Sequence, residues 1–169
     1  MAALQTQSWQ AAYRGMLPDT FLDAEVPGLL RERWSYWPGG DWRVETVWSA
    51  QFLLGFVSVD LAHAGGAYVD NLHVAPAAQG QGIGRVLMQN AAAHALPVGV
   101  LWLTVIDKNA GARAFYTGLG GLEGPAATEL LYGQEVTTHK MIWTEATLAA
   151  LAGPDASGAA ARVRATQQR

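Results

Sequence analysis

Apolar residues recur along the chain at two spacings, and these spacings predict the order of helices and strands. Helical spacing occurs in residues 4–13, after Pro18, in 82–94 and in 109–119. Runs of β-branched and apolar residues predict strands at 44–48, 52–61, 68–74, 98–106, 128–132 and 136–143. A strand–helix–strand unit between two hairpins implies a right-handed crossover, so the predicted fold class is α/β (α+β) with a mixed, mostly antiparallel central sheet.

Length and composition favour one globular domain. The chain has 169 residues, of which 50% are hydrophobic and 15% charged. We expect a single domain over residues 1–143 and an Ala/Gly-rich C-terminal tail over 144–169, with low order beyond Gly153.

Composition also argues against several classes of function. The chain has no cysteine, so it has neither disulfides nor thiolate metal sites, and we expect a cytoplasmic protein. No apolar run approaches the roughly 18 residues of a membrane span. The net charge of −3 argues against nucleic acid as a partner. The four histidines do not stand at metal-ligand spacing, so we predict no metal.

The most informative segment is a glycine-rich loop between a predicted strand and a predicted helix. Residues 79–84 read Gln-Gly-Gln-Gly-Ile-Gly. Such a loop lets backbone N–H groups converge at a helix N-terminus, which is a geometry that binds phosphate. A P-loop has Lys-Ser/Thr directly after its last glycine, whereas Gly84 is followed by Arg-Val. A dinucleotide fingerprint, G-x-G-x-x-G, needs glycine at its sixth position, which is Arg85 counted from Gly80 and Leu87 counted from Gly82. The segment matches a third phosphate-binding pattern, Q/R-x-x-G-x-G/A, at every position. The alternative to a phosphate site is a plain glycine-rich turn between a strand and a helix.

Two segments together resemble the signatures of the GCN5-related N-acetyltransferase (GNAT) family. The glycine loop is similar to that family's pyrophosphate loop. Residues 107–120 resemble its second signature, with Asn109, Ala112, Phe115 and Tyr116 at the matching offsets. The similarity covers about residues 4–143. The chain departs from the family pattern in having no strand ahead of its first helix, and in having Gly120-Gly121 where Gly-Phe is common.

The resemblance implies a sheet in which two parallel strands splay apart and the cosubstrate acetyl-CoA lies in the gap. The first of these strands would offer backbone groups to the pantetheine arm, and the glycine loop would hold the pyrophosphate. The implied cofactor-binding residues are Leu72, His73, Val74, Gln79, Gly80, Gln81, Gly82, Ile83, Gly84, Arg85, Asn109 and Ala112.

The implied reaction is direct attack of a primary amine on the thioester in a ternary complex. Tyr116 matches the family's general acid for the leaving thiolate, and a core tyrosine is the alternative. Asp70 is the candidate base, because alternation puts Tyr68, Asp70, Leu72 and Val74 on one face of the cofactor strand, opposite His73. The alternative for Asp70 is a structural ion pair with an arginine.

The acceptor stays open between a small-molecule amine and a protein N-terminus or lysine. Without a strand ahead of the first helix, the first hairpin would leave a sheet edge exposed. We expect that edge to be covered by a partner subunit, which would make a homodimer, or by the C-terminal tail. The rival functions are a CoA-binding module without catalysis and a nucleotide-binding protein.

Overall fold

A six-stranded sheet forms the centre of the structure, a computed structural model that describes residues 1–37 and 39–153. The strands are β1 (Trp42–Ser49), β2 (Phe52–Asp60), β3 (Ala67–Val74), β4 (Leu101–Ile106), β5 (Leu122–Leu131) and β6 (Gln134–Trp143). They lie in the order β1-β2-β3-β4-β6-β5, and every neighbouring pair is antiparallel except β3 with β4. The predicted mixed, mostly antiparallel sheet is confirmed.

Helices cover both faces of this sheet. In the described part of the chain they are α1 (Ala2–Ala12), α2 (Val26–Arg33), α3 (Ile83–Ala95), α4 (Ala110–Gly118) and α5 (Glu145–Ala152). A π-helical segment (Phe21–Glu25) leads into α2, and a 3-10 turn (Pro76–Ala78) follows β3. No strand precedes α1 within the described residues, as the sequence predicts. None of these helices has the length and apolar character that crossing a bilayer requires.

Two apolar cores lie on opposite faces of the sheet. The larger one joins α3 and α5 to the sheet and includes the buried residues Leu87, Leu101 and Trp143. The smaller one lies under α1 and α2. Helix α5 contributes Leu148 and Leu151 to the larger core, so residues 145–152 pack against the domain. The predicted domain boundary at 143 therefore lies ahead of a helix that belongs to the core. The expectation of low order beyond Gly153 concerns residues that lie outside the described part of the chain.

The parallel strands β3 and β4 are paired only at one end. Their register covers Ala67 with Leu101 and Tyr68 with Trp102. Beyond Tyr68 the two strands separate, while β3 stays paired with β2 along its other edge as far as Val74. The edge of β3 that faces β4 therefore presents backbone N–H and C=O groups without a strand partner, and a gap opens in the middle of the sheet.

A β-bulge at Asp70 changes which side chains of β3 share a face. The β2–β3 register shifts by one residue there, so Asp70 is the extra residue of β3. Leu72 and Val74 pack against the core under α3, whereas Asp70 bonds Arg33 of α2 on the opposite face. The expectation that Tyr68, Asp70, Leu72 and Val74 share one face is therefore wrong, because strict alternation fails at the bulge.

Strand β1 forms one edge of the sheet. The prediction that a partner subunit or the C-terminal tail covers this edge stays a prediction, since residues 154–169 lie outside the described residues.

Candidate functional site

A cleft of about 670 Å³, here called the splay cleft, occupies the gap between β3 and β4. Its walls come from β3, β4, the loop before α3, α4 and the C-terminal half of α1. Every predicted cofactor residue lines the splay cleft except Gln81, whose Nε2 instead donates to the carbonyl oxygen of Ala77 at 3.4 Å. The two motifs, about 30 residues apart in the sequence, thus meet in one cavity.

The glycine loop shapes one end of the splay cleft. Gly80 and Gly82 have φ of 75° and 81°, which is the left-handed region that strains any other residue. Helix α3 starts after Gly82, so its first N–H groups lack intrahelical partners, and Ile83, Gly84 and Arg85 all line the cleft. A Cβ on Gly84 would meet Cζ of Phe115 at 3.2 Å, so the chain also passes close to α4 here.

The splay cleft therefore has two kinds of binding surface. One is the free edge of β3, which suits a ligand arm that contains amides. The other is the N-terminus of α3, which suits a diphosphate. These two surfaces fit the pantetheine arm and the pyrophosphate of a coenzyme A thioester.

Helix α4 carries the predicted acid across from this loop. Asn109 is its N-cap, and its side-chain oxygen accepts a hydrogen bond from the backbone N–H of Ala112 at 3.1 Å. Tyr116 lies about two turns further along, where its ring packs on Phe115 and Trp143 at centroid distances of 5.2 and 6.1 Å. Burial raises the pKa of Tyr116 above its ordinary value near 10, so the hydroxyl keeps its proton at neutral pH.

A second cavity of about 250 Å³, here called the side cavity, adjoins the splay cleft. It lies between α1, the splayed strands and the tip of the β5–β6 hairpin. Five residues line both cavities: Tyr13, Leu72, His73, Thr104 and Tyr116. The Tyr116 side chain therefore stands at the junction between the two cavities.

Tyr13 is a second tyrosine at this junction, and no motif in the sequence assigns it a role. It follows α1, and burial raises its pKa to about 12. Its charge would also raise the pKa of Tyr116, which indicates that the two side chains are close. The signal available in the sequence was only an aromatic residue at the end of an amphipathic helix, which is typical of core packing.

Asp70 lines the side cavity and not the splay cleft. Its Oδ2 accepts hydrogen bonds from Nη2 of Arg33 at 2.9 Å and from Nδ2 of Asn71. The structural ion pair with an arginine, the alternative role for Asp70, is therefore present. Even so, the pKa of Asp70 is raised, because burial outweighs the stabilising effect of Arg33 on the charged form.

A buried polar network lies next to Asp70 at the bulge, and no pattern in the sequence predicts it. Asn71 accepts from Nε2 of Gln5 at 2.6 Å and donates to Oγ of Ser58 at 3.1 Å. Gln5 in turn accepts from the indole N–H of Trp34 at 2.6 Å. These bonds link α1, α2, β2 and β3, and so the position of the Asp70 carboxylate depends on all four elements.

His73 is buried on β3, two residues after Asn71. Its Nδ1 lies 3.0 Å from Oγ of Ser8, and burial lowers the pKa of His73 to about 3. An imidazole with so low a pKa is neutral at working pH and a weak base, so its side chain serves packing better than proton transfer.

A cluster of charged side chains anchors the start of α4. Arg113 pairs with Asp107 at 3.1 Å and with Glu123 at 2.6 Å. His139 donates from Nδ1 to the carbonyl oxygen of Gly124 at 3.0 Å and from Nε2 to Asp107 at 2.8 Å, and these acceptors raise its pKa. Within 1–37 and 39–153, no three His, Cys, Asp or Glu side chains are placed to hold a metal ion.

Comparison with known proteins agrees with this geometry. The model of the acetyltransferase (GNAT) family matches residues 6–120, which is more than half of the chain and includes both motifs. Among curated proteins, no significant match was found.

Solved structures of N-acetyltransferases share the fold. PaiA N-acetyltransferase from Thermoplasma acidophilum, in complex with coenzyme A, has a TM-score of 0.60 at 17% identity, over 82% of this chain and 88% of that one. The ribosomal-protein-S18-alanine N-acetyltransferase from Escherichia coli has a TM-score of 0.59 at 20% identity, over 85% of each chain. The spermidine/spermine N-acetyltransferase SpeG from Vibrio cholerae has a TM-score of 0.55 at 21% identity, over 73% and 79%. The family match, which spans both signature motifs, means that this chain belongs to the acetyltransferase (GNAT) family.

Proposed function

We propose that this chain transfers an acetyl group from acetyl-CoA to a primary amine, by direct attack of the amine in a ternary complex. The observation that carries the proposal is that two differently built cavities meet at a junction that includes the Tyr116 side chain. The splay cleft combines a free strand edge with a phosphate-type loop, the side cavity contains a carboxylate, and Tyr116 lines both.

The splay cleft is the cosubstrate site in this proposal. The backbone of Leu72, His73 and Val74 pairs with the pantetheine arm, and the amides after Gly82 hold the pyrophosphate, with Arg85 beside them. Asn109 and Ala112 line the opposite wall. Acetyl-CoA supplies an acetyl group activated as a thioester and leaves as the free thiol.

The side cavity is the acceptor site. An amine must lose a proton to attack, and Asp70 is the carboxylate placed to receive it. Its raised pKa makes it a stronger base than an exposed aspartate, while Arg33 and Asn71 hold the carboxylate in place. Tyr116, whose hydroxyl is protonated at neutral pH, donates a proton to the leaving thiolate.

The test is a panel of primary amines incubated with acetyl-CoA, read as release of free thiol and as the mass of the acetylated product. We expect at least one amine to give both signals. Stabilisation by CoA in thermal unfolding, without transfer to any amine, would instead support the CoA-binding module that lacks catalysis. Stabilisation by ATP but not by CoA would support a nucleotide-binding protein.

A further inference from the structure

We propose that the acceptor is a small aliphatic amine that carries a second positive charge, and that Glu129 of β5 binds this second charge. The proposal rests on the proposed function, because it assigns the side cavity to the acceptor. It adds a substrate class and a specificity-determining residue.

The charges of the side cavity favour a cation. Its lining includes two carboxylates, Asp70 and Glu129, and neither lysine nor arginine. Asp70 already has Arg33 as its ion-pair partner. Glu129 forms no salt bridge with any described residue. Glu129 is exposed, so water solvates its charge, and no described side chain competes with a ligand cation in the cavity for an ion pair with it.

The aromatic residues of the lining are compatible with the same class of ligand. Trp9, Tyr13 and Tyr68 all line the side cavity, and the rings of Trp9 and Tyr13 pack edge to face at 5.3 Å. Ring faces attract ammonium groups, and the attraction increases when the cation is shielded from water. His73, the remaining titratable base of the lining, is neutral at working pH and so does not repel a cation.

The size and position of the cavity limit the ligand further. A volume of about 250 Å³ corresponds to roughly eight water molecules and lies below the range of about 300–1,000 Å³ for drug-sized ligands. Tyr116 stands where the side cavity meets the splay cleft, whereas Glu129 lines the side cavity alone, near the β5–β6 turn. A short diamine can thus present one amine at the junction while Glu129 binds the other.

Calorimetric titration of the chain saturated with CoA tests this recognition without requiring turnover. Three probes share a four-carbon chain: 1,4-diaminobutane with two positive charges, butylamine with one, and 4-aminobutanoate with one charge of each sign. The variants are Glu129→Gln and the matched control Glu135→Gln. Glu135 is an exposed carboxylate on β6 that does not line the cavity.

Wild-type protein should bind 1,4-diaminobutane about three- to tenfold more tightly than butylamine, a modest factor because Glu129 is exposed to solvent. 4-Aminobutanoate should bind most weakly, because its carboxylate has the same charge as Glu129. Glu129→Gln should bring the ratio of diamine to monoamine affinity close to one, whereas Glu135→Gln should leave the wild-type ratio. Equal affinities in wild type, or a ratio that Glu129→Gln does not change, overturn the proposal. Diamine preference without acetylation of any amine would instead refute the proposed catalysis and leave the cation site standing.

Discussion

Replacing Tyr116 by phenylalanine is the sharpest test of the assigned chemistry, because it removes one hydroxyl at the junction of the two cavities. The ring contacts with Phe115 and Trp143 stay, since phenylalanine has the same ring. The Tyr116 hydroxyl forms no hydrogen bond with another described side chain or backbone group. The free energy of unfolding should therefore change by less than about 1 kcal/mol.

The effect on the rate should be much larger than the effect on stability. A general acid is worth about 10²- to 10⁴-fold in rate. We expect the lower end, a fall of about 10²-fold in kcat, because rate control by amine attack would hide part of the effect on thiolate loss. That fall corresponds to about 2.7 kcal/mol in the activation free energy. Acetyl-CoA affinity should change little, since the splay cleft keeps its backbone edge and its glycine loop.

Steady-state kinetics with the best amine of the panel, together with a CoA titration, measures both quantities. Tyr36→Phe is the matched control, because Tyr36 is 79% exposed and lines neither cavity. Tyr13→Phe tests the other hydroxyl at the junction, and its effect on kcat should be smaller. An unchanged kcat in folded Tyr116→Phe, or a loss that appears only in Tyr13→Phe, would refute the assignment of Tyr116 as the acid.

Three further predictions follow from the loop, the carboxylate and the charged cluster. Gly82→Ala should weaken CoA binding in a titration, because alanine is strained at φ of 81° and the amides at the start of α3 would shift. Gly99→Ala is the matched control, because Gly99 has φ of 82° but does not line the splay cleft, and this variant should keep wild-type CoA affinity. Asp70→Asn should lower kcat/KM by about 10²-fold and remove the acid limb of the pH–rate profile, in which wild-type activity falls as Asp70 is protonated. His139→Gln should lower the free energy of unfolding most below about pH 6.5, where the charged imidazole stabilises the fold, and progressively less as pH rises through the raised pKa of His139. Urea unfolding at several pH values measures this difference.

Each of these predictions has a contradicting result. Equal CoA affinities of the two glycine variants would mean that the loop before α3 does not hold the cosubstrate. An acid limb that survives in Asp70→Asn would assign that titration to another group. A stability difference for His139→Gln that grows with pH would mean that the charged imidazole destabilises the folded chain.

Local signals, together with the resemblance to the GNAT signatures, made the residues that line the splay cleft predictable from sequence. The glycines before α3 and the N-cap Asn109 each determine the backbone conformation within about one helical turn, so these residue types predict the local structure without knowledge of the fold. The parallel pair β3–β4 follows from the crossover rule, and the chain order then brings the two motifs together. Gln81 does not line the splay cleft, because its side chain turns back to bond the preceding loop, and its role in cofactor binding stays a prediction.

Features that depend on pairing between distant segments were not predictable. The bulge at Asp70 exists only in the register of β3 with β2, and the network through Gln5 needs four elements in place. Strand β5 begins at Leu122 rather than at the predicted residue 128, because Gly124 and Pro125 interrupt the apolar pattern while the strand continues through a register shift. The side cavity likewise needs the β5–β6 hairpin folded against α1.

The central claim, direct transfer from acetyl-CoA to an amine with both bound at once, is tested by initial velocities over a matrix of the two substrate concentrations. Free thiol and acetylated amine are quantified in the same samples. The ternary-complex mechanism predicts intersecting double-reciprocal lines and one acetylated amine for each thiol released. Parallel lines, which indicate a covalent acetyl-enzyme, or thiol release without an acetylated amine, would contradict it.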